Sequence, residues 1–189
     1  MAERAKTGSM DISREFGGRL DQYRRDKRLL PVGIFGSFHR YGLLELLRDH
    51  LNDHGYHAQL SIDLEDLIPR KKGEDEDVYN FRISRELIDA SAICIFVVFL
   101  EHDSESNVNQ SVSQEAQYLY DQQDLRKRTA LPRVLVLVEN GCTPASLFRG
   151  LVKACRPRWC EAPFSKEEDL MKAARQFCWN VAVRGIGRG

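Results

Sequence analysis

The chain has 189 residues, a length that fits one globular domain with a short appendage. Hydrophobic residues make up 42% and charged residues 30%, which is ordinary globular usage and excludes wholesale disorder and fibrous classes. Lys plus Arg and Asp plus Glu each total 28, so the formal net charge is zero. This balance argues against a nucleic-acid-coating protein and against electrostatic attraction to an anionic membrane.

Two further patterns narrow the class of protein. The longest apolar run, residues 92–100, is far shorter than the ~20 residues of a membrane helix, and no secretory signal precedes it. We therefore expect a cytoplasmic protein with no membrane partner. The five cysteines form no CxxC pair, which argues against a disulfide framework or a zinc knuckle. We expect no metal, because His50 and His54 at the end of a predicted helix are more typical of polar residues near a helix terminus.

The first 30 residues are predicted to form a tail and a peripheral helix. Within residues 12–30, Phe16, Leu20 and Tyr23 have helical spacing, although two glycines weaken the pattern. Residues 31–183 are predicted to form the main domain, and residues 184–189 a Gly-rich tail.

From residue 31 onward, short apolar runs alternate with amphipathic stretches. The runs predict strands at 32–36, 57–62, 92–100, 133–139 and 157–160. Helices are predicted after the first strand, from the acidic cluster 74–77, over 111–128 and over 165–182. Ser111 and Gln114 form a capping-box pattern at the start of the third of these helices.

This alternation predicts an α/β fold, a three-layer sandwich with a five-stranded parallel sheet. Crossover handedness places helices on both faces of such a sheet. The strongest strands are the first, third and fourth, which favours the flavodoxin-like order 2-1-3-4-5.

A ligand site is expected where the strand order reverses, beyond the carboxyl ends of strands one and three. The first loop holds neither a GxGxxG motif nor a P-loop, so a standard dinucleotide or phosphate cradle is absent. The candidate ligand-binding residues of these two loops are Gly36, Ser37, Phe38 and His39 after the first strand, and His102, Asp103, Asn109 and Ser111 after the third.

Some of these candidate residues also have a purely structural interpretation. Gly36 fits a close backbone approach to a ligand, or a tight turn from strand to helix. Ser37 offers a hydroxyl to a sugar or phosphate edge. Asp63, after strand two, fits a ribose contact or a helix-capping role.

Glu115 is the most informative single residue of the sequence. One turn into the third helix, its carboxylate is expected at the mouth of the crevice. There it fits a contact to ribose hydroxyls, or the role of nucleophile or ion-pair partner while an N-glycosidic bond breaks. The alternative is a glutamate that only interacts with the helix dipole.

Three stretches, 32–38, 89–96 and 109–119, resemble the nucleoside 2-deoxyribosyltransferase-like superfamily and, more distantly, Toll/interleukin-1 receptor domains. Both groups combine an apolar strand ending in Gly and a small residue, a D-A-S-D-like helix end before a hydrophobic strand, and a glutamate in the following helix. The resemblance covers residues 31–137 and implies that Glu115 is the glutamate of glycosidic chemistry.

The motif also departs from those families. Ser111 and Gln117 stand where the transferases have glycines, and Asn109 stands where they have an aspartate. The residues before Glu115 also lack the Ser, Trp and Cys of Toll/interleukin-1 receptor enzymes.

Two hypotheses follow. The first is a nucleoside-, nucleotide- or NAD-binding domain in which Glu115 supports N-glycosidase or deoxyribosyltransfer chemistry, with the nucleotide or NAD as ligand or substrate and no cofactor. The second is a catalytically inactive sensor or protein-interaction module of the same fold. Whether the chain forms a homo-oligomer stays open.

Overall fold

The structure is a computed structural model that describes residues 30–100, 109–126, 133–155 and 158–186. The tail and peripheral helix predicted before residue 30 lie outside these ranges, as do residues 187–189 of the predicted Gly-rich tail. No helix in the described part of the chain is long and apolar enough to cross a membrane.

Strands and helices alternate along the described chain. The elements are β1 (Pro31–Gly36), α1 (Tyr41–Asp53), β2 (His57–Gln59), α2 (Glu76–Ala90), β3 (Ile93–Val98), α3 (Gln110–Arg126), β4 (Arg133–Glu139), α4 (Ser146–Ala154), β5 (Trp159–Phe164) and α5 (Glu167–Ile186). Two short 3-10 helices, Phe38–Arg40 and Ser61–Leu64, follow β1 and β2.

The five strands form one parallel sheet in the order β2-β1-β3-β4-β5, which confirms the predicted fold and strand order. Along β1 and β3, Gly33 lies opposite Cys94 and Gly36 opposite Val97. Parallel neighbours end at the same edge of the sheet. The chain segments that follow β1 and β3 therefore leave the sheet side by side.

Each face of the sheet is covered by its own set of helices. Ile34, Ile95 and Leu137 point to one face, where they pack with residues of α1 and α5. Phe35 and Phe96 point to the other face, where the buried cluster includes residues of α2, α3 and α4. All six residues of β3 are buried, as expected for a strand covered on both faces.

β2 and β5 differ most from the sequence prediction, and β3 is shorter than predicted, ending at Val98 rather than at residue 100. β2 ends at Gln59 rather than at residue 62, because the Asp63 carboxylate accepts the backbone N–H of Leu60 at 2.7 Å and begins a 3-10 helix. β5 continues to Phe164 through Pro163. Proline is tolerated there because β5 is an edge strand.

α4 was not predicted. It has only nine residues and contains Gly150, which weakens a helical signal. Its buried residues Phe148, Leu151 and Val152 nevertheless have the i, i+3, i+4 spacing of an amphipathic helix.

At the end of β1 the backbone and α1 approach each other closely. A methyl group on Gly36 would lie 2.7 Å from Cδ2 of Leu44, and the Leu44 side chain is almost fully buried. Glycine is therefore required here by the packing of α1 against the strand.

We expect Gly36→Ala to lower the free energy of unfolding by about 1–3 kcal/mol, because the added methyl overfills the packed space beside Leu44. Gly42→Ala is the matched control, since a methyl group there meets no atom within 4 Å and lies in α1. The control is expected to be neutral or up to about 1 kcal/mol more stable. Urea unfolding of both variants measures the difference, and equal stabilities would show that Gly36 has no packing role.

Candidate functional site

The first predicted loop forms a tight turn in which Ser37 has a structural role. Ser37 is buried, and its side-chain oxygen accepts the backbone N–H of His39 at 3.3 Å. This contact caps the 3-10 helix Phe38–Arg40. Ser37 and Gly36 are thus both used in building the corner between β1 and α1.

Phe38 and His39 face outward from this corner. The Phe38 side chain is 54% exposed, and its ring stacks on Tyr41 with 5.9 Å between centroids. His39 is exposed as well. Of the first-loop residues, these two have side chains open to an incoming ligand.

Asp63 lies at the β2 end of the sheet, in the second 3-10 helix. Its Oδ1 accepts a hydrogen bond from Arg48 Nη1 at 2.7 Å, and its Oδ2 accepts the Leu60 N–H. Both carboxylate oxygens therefore hold this corner together. The geometry favours the capping interpretation of Asp63 over the ribose contact.

Asn109 joins α3 to the end of β3. Its side-chain amide accepts the Phe99 N–H at 2.9 Å and donates to the Phe99 carbonyl at 2.8 Å. The pairing mimics a strand bridge and fixes where α3 begins. α3 begins at Gln110, so Ser111 is an exposed residue of the first turn and the capping box predicted for Ser111 and Gln114 is wrong.

The two other predicted residues of this second loop, His102 and Asp103, lie outside the described residues.

Glu115 lies on the flank of the α3 face that packs on the sheet, turned toward Ser84 of α2, and the residue as a whole is half-buried. Its neighbours on this side, Val112, Ala116 and Leu119, are fully buried. Six residues at 1.5 Å each separate it from Asn109, so it lies about 9 Å along the helix from the edge of the sheet. The carboxyl is thus set below the mouth of the crevice at which the sequence analysis expected it.

Burial dominates the environment of this carboxyl. Glu115 Oε2 is buried and has no hydrogen-bond partner. Burial raises the pKa of Glu115 to about 8, and a hydrogen bond with Ser84 of α2 offsets part of the rise. At neutral pH the side chain is therefore mostly a neutral carboxylic acid.

Cys94 of β3 is close enough to be affected by this group. Burial raises the pKa of the Cys94 thiol, and the Glu115 charge adds to the increase. Cys94 is therefore a buried neutral thiol that packs as a small hydrophobic residue.

A cavity of about 410 Å³ opens at the carboxyl ends of β3 and β4, a size that suits a small ligand. It is lined by Val98, Leu100, Asn109, Gln110, Ser113, Cys142, Thr143, Pro144, Ala145 and Phe148. Among the predicted ligand residues that the structure describes, only Asn109 lines it. Cys142, Thr143 and Phe148 were not predicted as site residues, because the cavity they line depends on α4.

His50 and His54 lie at the C-terminal end of α1. The rings of His50 and His54 are 4.3 Å apart, and His54 Nε2 lies 2.9 Å from Arg175 Nη1. Burial, with His54 and Arg175 nearby, lowers the pKa of His50. Within the described ranges, no group of three or more His, Cys, Asp or Glu side chains is arranged to hold a metal ion.

Comparisons with known proteins find two solved structures of similar fold. No family model and no curated protein sequence matches the chain. A 2-deoxyribosyltransferase from Bacillus psychrosaccharolyticus superposes with a TM-score of 0.50 and 12% identity over 75% of this chain and 90% of that one. A CMP N-glycosidase from Clostridium botulinum gives a TM-score of 0.52 and 12% identity over 78% and 98%.

The chain therefore has the nucleoside 2-deoxyribosyltransferase-like fold, which confirms the resemblance seen in the sequence. It is a distant structural relative of these two enzymes. At 12% identity, the likeness establishes the architecture and leaves the activity to the residues of the site.

The raised pKa of Glu115 predicts how stability depends on pH. The folded chain keeps a proton on Glu115 up to about pH 8, whereas the unfolded chain loses it near pH ~4.3. Between these values the folded state binds more protons, so the free energy of unfolding falls as pH rises and levels off above about pH 8. Glu115→Gln, which resembles the protonated acid, is expected to remove this part of the slope.

Urea unfolding at several pH values between about 5 and 9 measures the slope. Asp121→Asn is the control, because Asp121 is an exposed carboxylate of the same helix. It is expected to keep the wild-type slope. Identical slopes for wild type and Glu115→Gln would contradict the burial of this carboxyl.

Proposed function

We propose that the chain binds a nucleoside or nucleotide at the carboxyl edge of the sheet and cleaves or transfers its N-glycosidic bond with the help of Glu115. The observation that carries the proposal is the buried carboxyl with an unpartnered Oε2 and a pKa of about 8. Carboxylic acids whose pKa is raised by burial, and which lie beneath a proposed ligand site, are typical of catalytic groups. The fold shared with a 2-deoxyribosyltransferase and a CMP N-glycosidase supports the same chemistry.

A protonated Glu115 suits the departure of a nucleobase. When the bond from the sugar C1′ to the base nitrogen breaks, the base leaves with the electron pair and positive charge develops on the sugar. The acid donates its proton to the base, and the resulting carboxylate stabilises the sugar cation. Water, or a second base in a transfer reaction, then bonds to C1′ and its proton returns to Glu115.

The remaining predicted residues are proposed to hold the ligand above this carboxyl. Phe38 is an exposed ring on which a base can stack. Asn109 and Ser111 lie at the N-terminal end of α3, where the helix dipole favours an anionic or hydroxyl-rich group. His39, His102 and Asp103 complete the proposed set, while Gly36, Ser37 and Asp63 shape the corners beside it.

The test is release of free base. Wild-type protein is incubated with NAD, deoxynucleosides and CMP, and free base is quantified by chromatography. We expect release from at least one of them, and a loss of about 10²–10⁴-fold in Glu115→Gln, the contribution of a general acid. Release is also expected to fall as pH rises through about 8, because the acid then loses its proton.

Asp121→Asn serves as the matched control, since it removes a carboxylate from an exposed position of α3. It is expected to release base at the wild-type rate. Equal release by Glu115→Gln and wild type would overturn the role assigned to Glu115.

A second candidate is a catalytically inactive sensor or interaction module, and the internal bonding of the predicted site favours it. The Ser37 oxygen, both Asp63 oxygens and the Asn109 amide are all bonded within the protein. Below them, the rings of Phe35 and Phe96 stack with 5.0 Å between centroids. No release from any member of the panel would favour this candidate.

A further inference from the structure

A second cavity lies far from the carboxyl edge, in the groove between α1 and α5. Its volume is about 560 Å³, and its apolar part is formed by Leu46 and Met171. The Leu46 side chain is 51% exposed, although it lies in a helix that packs on the core. We call this surface the α1–α5 groove.

The rim of the α1–α5 groove is acidic. Four carboxylates line it, against two cations. The carboxylates are Asp49, Asp53, Glu167 and Glu168, and the cations are Lys172 and Arg175. One of the cations, Arg175, already contacts His54. The surplus of two negative charges favours a basic occupant with an apolar side.

The α1–α5 groove also contains a buried polar atom that forms no hydrogen bond. His50 lines it, and its Nε2 is buried without a hydrogen-bond partner. A buried ring nitrogen of this kind is stabilised when an occupant brings a hydrogen-bonding group to it.

A segment with the matching chemistry precedes β1 in this same chain. Residues 12–29 contain six basic and three acidic residues, a surplus of three positive charges. Phe16, Leu20 and Tyr23 follow one another at i, i+4 and i+7, the spacing of one apolar helix face. The segment is therefore basic with an apolar stripe.

The described fold begins near the Asp53 end of α1, and Asp53 lines this groove. Pro31, the first residue of β1, pairs with His57 at the start of β2. His57 comes four residues after Asp53, where α1 ends. As a helix, the 18 residues of 12–29 would extend about 27 Å, against about 20 Å for the 13 residues of α1. The segment is long enough to lie along the whole groove.

We propose that residues 12–29 dock into the α1–α5 groove, with Phe16, Leu20 and Tyr23 against Leu46 and Met171 and the basic side chains facing the acidic rim. Docking covers an apolar surface that the described elements leave open. It also keeps the occupant on the face of the sheet opposite α3, away from Glu115.

Trypsin tests the proposal, because the segment contains five arginines and one lysine. Cleavage after Arg24 and Arg25 in the full chain is compared with cleavage of a synthetic peptide of residues 12–29. Protection in the full chain reports the docked population, since cleavage follows the fraction undocked. We expect cleavage at least about tenfold slower in the full chain than in the peptide.

Leu46→Gln is expected to raise the cleavage rate by about tenfold, because it removes the apolar contact while keeping a good helix former. Leu147→Gln is the matched control, since Leu147 is 78% exposed and lines a different groove, between α3 and α4. Asp49→Asn with Asp53→Asn is a second variant that tests the acidic rim. It is expected to raise the rate as well. Thermal unfolding checks that the variants retain the fold.

Three results would overturn the proposal. The first is cleavage of the wild-type segment at the rate of the free peptide. The second is protection that Leu46→Gln leaves intact, and the third is protection that only Leu147→Gln removes. The last would place the segment in the α3–α4 groove.

Discussion

Coverage of both faces of β3 is the constraint on which the rest of the structure depends. All six residues of this strand are buried, so helices must lie on each side of it. On one side α3 meets that need by placing Val112, Ala116 and Leu119 against the sheet. Glu115 lies on the flank of this face, and its Oε2 is held out of solvent although the residue as a whole is half-buried.

The position of Glu115 has a chemical consequence. Burying a carboxylate away from water is costly, so the group keeps its proton and its pKa rises to about 8. Ser84 of α2 supplies one hydrogen bond, and Oε2 has no partner. The packing of α3 thus turns an ordinary glutamate into an acid that holds a proton at neutral pH, which is the form that the proposed base-release chemistry needs.

The sequence was sufficient to predict the architecture, because the strands of the sheet are short apolar runs that are easy to recognise. The run that became β3 is continuous in apolar residues, and the strand order follows from which runs are strongest. The pattern failed for α4, where nine residues with an internal glycine gave too weak a signal. With α4 missed, the cavity beside Cys142 and Phe148 was missed too.

The roles of the site residues were harder to predict. The polar atoms of a loop side chain can form hydrogen bonds with the protein backbone or with a ligand, and the sequence does not distinguish the two. Ser37, Asp63 and Asn109 all lie where they were expected, yet each uses its polar atoms on neighbouring backbone or side chains. For Glu115, the sequence indicated the helix turn correctly. Its depth depended on how closely α3 packs on the sheet, which only the assembled fold determines.

The most direct test of this account is the protonation state of Glu115. Carbon NMR of the side-chain carboxyl, assigned by comparison with Glu115→Gln, gives its titration midpoint in the folded chain. The account predicts a midpoint near pH 8. A midpoint near the ordinary value of pH ~4.3 would show that the carboxyl is hydrated, and would contradict the buried acid on which the proposed function depends.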